Sequence, residues 1–173
     1  MRNSIRFAVV GAALAAVSFG SAANAATTAT ATATAEILRT LSIVNNTGLD
    51  FGTIAVAGAG TVKVSADGLG DSCTAIALIC GGTRAPAGFT VSGNDGAGVA
   101  VTLPSSATLT YVGWVGAGAA PTMSVGSFTS YFPAGTTLVA GSTTVSVGGS
   151  LAVAAAQAPG TYSGTFAVSA QYQ

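Results

Sequence analysis

Two cysteines seven positions apart, in "CTAIALIC" (Cys73 and Cys80), are the residues of this chain best equipped for covalent chemistry. A close pair of this kind in an oxidising compartment closes a small loop as a disulfide, provided the two Cα atoms come within about 7 Å. A metal reading needs further soft or imidazole ligands, and the sequence has no histidine and no third cysteine. The absence of histidine also removes Ser-His and Cys-His nucleophile pairs, leaving Lys63 as the one base available to a serine. Five acids follow the leader: Glu36, Asp50, Asp67, Asp71 and Asp95. Two of them could form the carboxylate pair of a glycosidase. However, "LDFG", "ADGLGD" and "NDG" are turn sequences, where Asp is expected to bond nearby backbone. "ADGLGD" also lacks the ligand-rich spacing of a calcium loop. The glycine triplets "GAG" complete no dinucleotide fingerprint. The expectation is no enzyme, with no catalytic, metal or cofactor-binding residues.

The elements that would position such residues begin after a leader. Arg2 and Arg6 precede "FAVVGAALAAVSFG", an apolar run too short to span a bilayer, and "SAANA" offers a small-x-small site cut between Ala25 and Ala26. No other stretch approaches about 20 consecutive apolar residues, so no transmembrane segment is expected in the mature chain. Residues 26–173 are 148 in number, enough for one domain with a core. Arg39, Lys63 and Arg84 against the five acids leave a charge of −2, and no basic patch exists to neutralise phosphates. Nucleic acid is therefore excluded as a partner. So few charges suit self-association better than dispersal.

Most of the mature chain reads as strand and turn. "SIVNNTGLDFGTIAV" gives two apolar runs joined by a turn at Asn45–Gly48. "FTVSGNDGAGVAVTLP" suggests a hairpin at Asn94-Asp95-Gly96, and "STTVSVGGSLAV" another at Gly148-Gly149. Only "SLAVAAAQAPG" could hold a helical turn, ended by Pro159. Trp114, in the Gly/Ala-rich stretch 112–121, reads first as a loop anchor and second as part of a contact surface.

Two segments have strict period two. In "GTYSGTFAVSAQYQ", Tyr162, Gly164, Phe166, Val168, Ala170 and Tyr172 share one face. In "ATTATATATAEILRTLSIV", from Ala26, the shared face carries Ala29, Ala31, Ala33, Ala35 and Ile37, with Thr28, Thr30, Thr32 and Thr34 opposite. Extended, residues 26–39 would reach about 46 Å at ~3.3 Å per residue, more than an ordinary strand needs. Such a tract can add itself to a neighbour's sheet edge through main-chain hydrogen bonds, or fold back to complete its own domain.

"LDFGTI", "FTVSG", "VTLPSS", "MSVGSFTS", the segment from "PGTYSGTF" to the penultimate Tyr172, and the alternating tract together resemble a family of exported bacterial proteins catalogued as a domain of unknown function. That family is similar to chaperone–usher pilin subunits and to spore-coat-U-like proteins. The expected fold is all-β: an Ig-like, pilin-like antiparallel β-sandwich with an extended N-terminal strand. The expected domains are a signal peptide (1–25), an N-terminal extension (26–39) and the sandwich (40–173). The resemblance implies a missing strand, filled first by a periplasmic chaperone during assembly at an outer-membrane usher, and then by the extension of another copy. Residues 26–37 would be the donor, and the acceptor edge would include Tyr162–Tyr172. The expected function is a structural subunit of a surface fibre, exported through the periplasm to the cell surface, fimbrium or extracellular space. The alternative is a self-complemented secreted sandwich acting as an adhesin or carbohydrate-binding module through loops such as 112–121.

Overall fold

The structure is a computed structural model and describes residues 27–74 and 77–173. The expected cleavage site at Ala25 and Ala26 lies outside the described residues. Two compact units are distinguished: residues up to Ala35, and Glu36–Gln173. Of the first unit, residues 27–35 are exposed and carry no regular secondary structure.

The second unit is all-β, with twelve strands and no helix among the described residues: β1 (Ser42–Thr47), β2 (Thr53–Val56), β3 (Gly60–Val64), β4 (Ser72–Thr74), β5 (Leu78–Gly81), β6 (Ala87–Ser92), β7 (Val99–Thr102), β8 (Ser106–Tyr111), β9 (Thr122–Tyr131), β10 (Ser142–Val153), β11 (Tyr162–Ser163) and β12 (Ser169–Tyr172). No helix is long and apolar enough to cross a membrane, among the described residues. Every ladder is antiparallel. The main curled sheet runs β1-β6-β10-β9-β8-β11, with β3 also pairing β10 and β4, while β12-β7 and β2-β5 form separate two-stranded sheets.

Strand β10 organises the domain. Its first half, Ser142–Val147, pairs with β6, and its second half, Gly149–Val153, pairs with β3 along the same edge. Inward side chains alternate along it, as period two requires. Val145 and Val147 enter one apolar cluster with Phe89, Val91, Val99 and Leu138, while Leu151 and Val153 enter a second with Phe51, Val62, Leu78 and Val125. The β7 and β12 residues Val101, Ala170 and Tyr172 pack on the first cluster, and the β2 residues Ile54 and Val56 pack on the second.

Gly148-Gly149 is therefore not a hairpin turn, correcting the expectation from sequence. The pair sits inside β10, where the edge partner changes from β6 to β3. A Cβ on Gly148 would collide with the Val64 carbonyl and the backbone of Ser65 and Ala66. On the other edge β9 bulges against this point: Gly126 faces Ser150 and Thr129 faces Gly148, with Ser127 at φ 50° between them.

Two further turn expectations are corrected. Asn45–Thr47 belongs to β1, and β1 and β2 do not pair: β1 joins β6, and β2 joins β5. Asn94-Asp95-Gly96 closes no hairpin because β6 already has β1 and β10 on its two edges. The chain instead crosses to β7, held by bonds from Gly93 N to Gly141 O, Gly96 N to Leu138 O and Val99 N to Thr136 O. The possible helical turn after Val153 is an irregular loop containing a turn.

The cysteines do form a disulfide, Cys73–Cys80, with Cα atoms 6.2 Å apart. Cys73 lies on β4 of the main sheet and Cys80 on β5 of the small one, so the bridge ties two sheets together beside the second cluster. Such a bond belongs to an oxidising environment.

Candidate functional site

The segment with alternating apolar residues at 162–172 is not one continuous strand. Tyr162 and Ser163 pair with Tyr111 and Thr110 at the β8 edge of the main sheet. Gly164 then passes so close to Thr108 that a Cβ would strike the Thr108 carbonyl. After this contact the chain leaves the main sheet, and Ser169–Tyr172 pair with Thr102–Val99 of β7. The alternation survives the break: Tyr162, Phe166, Val168, Ala170 and Tyr172 are half-buried, while Ser163, Thr165, Ala167, Ser169 and Gln171 are exposed. Phe166 anchors the crossing, with its ring 4.9 Å from Phe128 and edge-on to Phe89 at 6.3 Å.

Strand β12 has β7 hydrogen-bonded on one side and no strand hydrogen-bonded on the other, among the described residues, although β1 packs near it. The phase of its ladder can be fixed. Gln173 N–H donates to Gly98 O, which makes 173 and 98 a hydrogen-bonded pair. Pairs alternate in an antiparallel ladder, so Gln171 and Ser169 face β7, whereas the main-chain groups of Ala170 and Tyr172 point to the open side. Val99 agrees: it lies opposite Tyr172 and sends its N–H outward, to Thr136 O. The side chains of Ala170 and Tyr172 pack on the first cluster, as do Leu41 and Ile43.

At this edge the Tyr172 hydroxyl accepts a hydrogen bond from Asn94 N–H at 2.8 Å and donates one to Arg39 O at 2.8 Å. Arg39 lies in the exposed stretch leading to the Ala/Thr tract. Ile37 is 93% exposed, and residues 27–40 carry no strand. Of the tract residues singled out from sequence, Ala29, Ala31, Ala33 and Ala35 belong to the first unit and are exposed there. The structure thus gathers Phe166, Val168, Ala170 and Tyr172 against the first cluster and places Tyr162 against the second. Sequence reasoning missed Asn94 N–H and Arg39 O, backbone groups that carry no signal of residue type.

The four aspartates each accept from a backbone N–H. Asp50 accepts from Gly52 N–H at 2.8 Å, Asp71 from Ser65 N–H at 2.8 Å, and Asp95 from Gly141 N–H at 3.2 Å. Asp67 accepts from the Ser65 hydroxyl at 2.7 Å and from Leu69 N–H at 3.0 Å. These two bonds, the hydroxyl's first, hold its carboxyl below the ordinary aspartate range. Arg84 Nε stands 3.9 Å from Asp71. No group of three or more His, Cys, Asp or Glu side chains gathers as a metal site among the described residues. At the opposite edge, Trp114 meets Tyr111 edge-on at 5.4 Å, and Tyr111 meets Tyr162 likewise at 5.4 Å, beneath an exposed loop from Val112 to Ala119.

A family model for a domain of unknown function, DUF4402, matches residues 41–172. The chain belongs to the DUF4402 family. No curated protein and no solved structure matches it. The DUF4402 match opens at Leu41 and closes at Tyr172, so it takes in all twelve strands and leaves the Ala/Thr tract outside.

Proposed function

We propose that this DUF4402 protein is a structural subunit of a surface fibre, assembled by β-strand addition between copies. The observation that carries the reading is the open side of β12. There the main-chain groups of Ala170 and Tyr172 have no strand hydrogen-bonded to them among the described residues, beside the apolar residues of the first cluster. A strand edge of this kind is a template for another chain. The exposed, strandless, alternating tract at 27–37 has the reach and period to be that chain.

On this reading the domain is an Ig-like, pilin-like sandwich short of one strand. The chain is exported through the periplasm. Its partners are copies of itself, a periplasmic chaperone that covers the open edge before assembly, and an outer-membrane usher. The disulfide supports passage through an oxidising compartment. The reading needs no catalytic residue, and each aspartate accepts from a backbone N–H.

The test is to shear material from the surface of expressing cells and run it on a gel with and without boiling. A ladder that collapses on heating, and that is lost when residues 26–37 are deleted, is the expected outcome. A single monomer band under both conditions overturns the reading. In that case the exposed loop with Trp114 supports the second reading, an adhesin or carbohydrate-binding module.

A further inference from the structure

We infer that Tyr172 is a positioning residue that fixes the root of the N-terminal tract, and that it couples this root to the state of the β12 edge. The inference rests on the strand-addition reading for its second half only. The first half stands on geometry. The bond from the Tyr172 hydroxyl to Arg39 O is the one hydrogen bond that Glu36–Thr40 make among the described residues. Leu38 and Glu36 line an open cavity of about 310 Å³ with Asn94–Gly98 and Tyr172.

The hydroxyl is itself held, by Asn94 N–H, and the space it occupies is kept by a glycine. A Cβ on Gly93 would overlap the Tyr172 hydroxyl and crowd Leu41 and Leu138. Gly93 is thus required for close approach rather than for a turn. Both ends of the side chain then act at once. The main chain of Tyr172 faces the open edge of β12, and its hydroxyl grips the carbonyl of Arg39, 133 positions earlier. An incoming strand that orders β12 orders this hydroxyl, and with it the point from which the subunit's own tract departs. A subunit that has received a strand is in this way set to offer one, which gives growth a direction.

Arg39 O is also the carbonyl that trypsin would attack in cutting Arg39–Thr40. Lys63 lies inside the β3 ladder and Arg84 is half-buried, so Arg39 is the accessible site of the domain. The experiment compares the chain recovered from expressing cells with Tyr172→Phe, Gly93→Ala and Tyr162→Phe, following trypsin cleavage after Arg39 and amide exchange at Thr40. Tyr172→Phe keeps the ring and removes the hydroxyl, and should raise both rates about fivefold, the worth of one ordinary hydrogen bond. Gly93→Ala, which displaces the hydroxyl while Tyr172 itself is kept, should do the same. Tyr162→Phe loses bonds to Gln157 and Ala158 instead and should leave both rates unchanged.

A synthetic peptide of residues 27–37 is then added, with binding read by calorimetry. It should slow cleavage after Arg39 in the unsubstituted chain and not in Tyr172→Phe. Equal cleavage of Tyr172→Phe and the unsubstituted chain overturns the positioning role. A bound peptide that leaves the unsubstituted rate unchanged overturns the coupling. A peptide that binds neither protein overturns strand addition and the coupling with it, while the fivefold effect would still stand.

Discussion

Asp67 illustrates how this chain spends its few charges. Its carboxylate is fully exposed, yet it accepts from the Ser65 hydroxyl and Leu69 N–H and so closes the turn after β3. Both bonds are stronger to the ionised form, which is why the folded carboxyl titrates below the ordinary aspartate value. The sign follows from linkage: with the folded value depressed, the contribution to stability is complete above the unfolded value. It is lost as pH falls through the folded one. Titrating the Asp67 carboxyl by NMR should give a midpoint below the ordinary aspartate value. In Asp67→Asn, the Leu69 amide shift should no longer move in that acidic window. A midpoint at the ordinary aspartate value would contradict this account of the turn.

Among elements, β10 shows what the sequence could and could not say. Its two halves were legible as strand, and the shared face of Tyr162, Phe166, Val168 and Tyr172 in the C-terminal segment was legible from alternation. The cysteine pair was legible from spacing and compartment. The Gly148-Gly149 pair was not, because glycine marks both a turn and a place where another backbone passes, and only the partner strand distinguishes them. The same holds for Gly164, which lets the chain approach Thr108 where a continuous strand was expected. Asn94-Asp95-Gly96 has the composition of a hairpin turn. Its failure to close one is decided remotely, by β1 and β10 filling both edges of β6. The prediction at this scale is that Gly148→Ala costs about 1–3 kcal/mol, since its Cβ meets the Val64 carbonyl rather than a flexible side chain. Thermal unfolding should show the midpoint lowered by several degrees. An unchanged midpoint would mean the handover between β6 and β3 can widen freely. Gly68, with nothing near its Cβ position, provides a control of different kind, limited by its φ of 72°.

For the molecule as a whole, the composition of the tract decides how strand addition would hold. A donor built from Val, Leu or Phe gains roughly 1.5–3 kcal/mol for each side chain buried, whereas an alanine methyl contributes only about 0.8 kcal/mol. The face Ala29–Ala35 therefore gives little through its side chains. The affinity must come largely from main-chain bonds to an edge such as that of Ala170 and Tyr172, with net worth near 1 kcal/mol apiece. This reverses the usual order of mutational damage. Replacing Ala31 or Ala33 by Ser changes the side chain and keeps the N–H, and should leave the heat-sensitive ladder of surface material intact. Replacing either by Pro removes a donor and fixes φ near −65°, which an added strand does not tolerate where its N–H bonds the receiving edge. Ala31→Pro should abolish the ladder while the domain beginning at Leu41 stays folded, as the native Cys73–Cys80 bridge and an unchanged unfolding midpoint would report. If Ala31→Ser proves as damaging as Ala31→Pro, the tract is recognised through its side chains. A groove fitted to alanine would then replace the backbone ladder as the source of affinity.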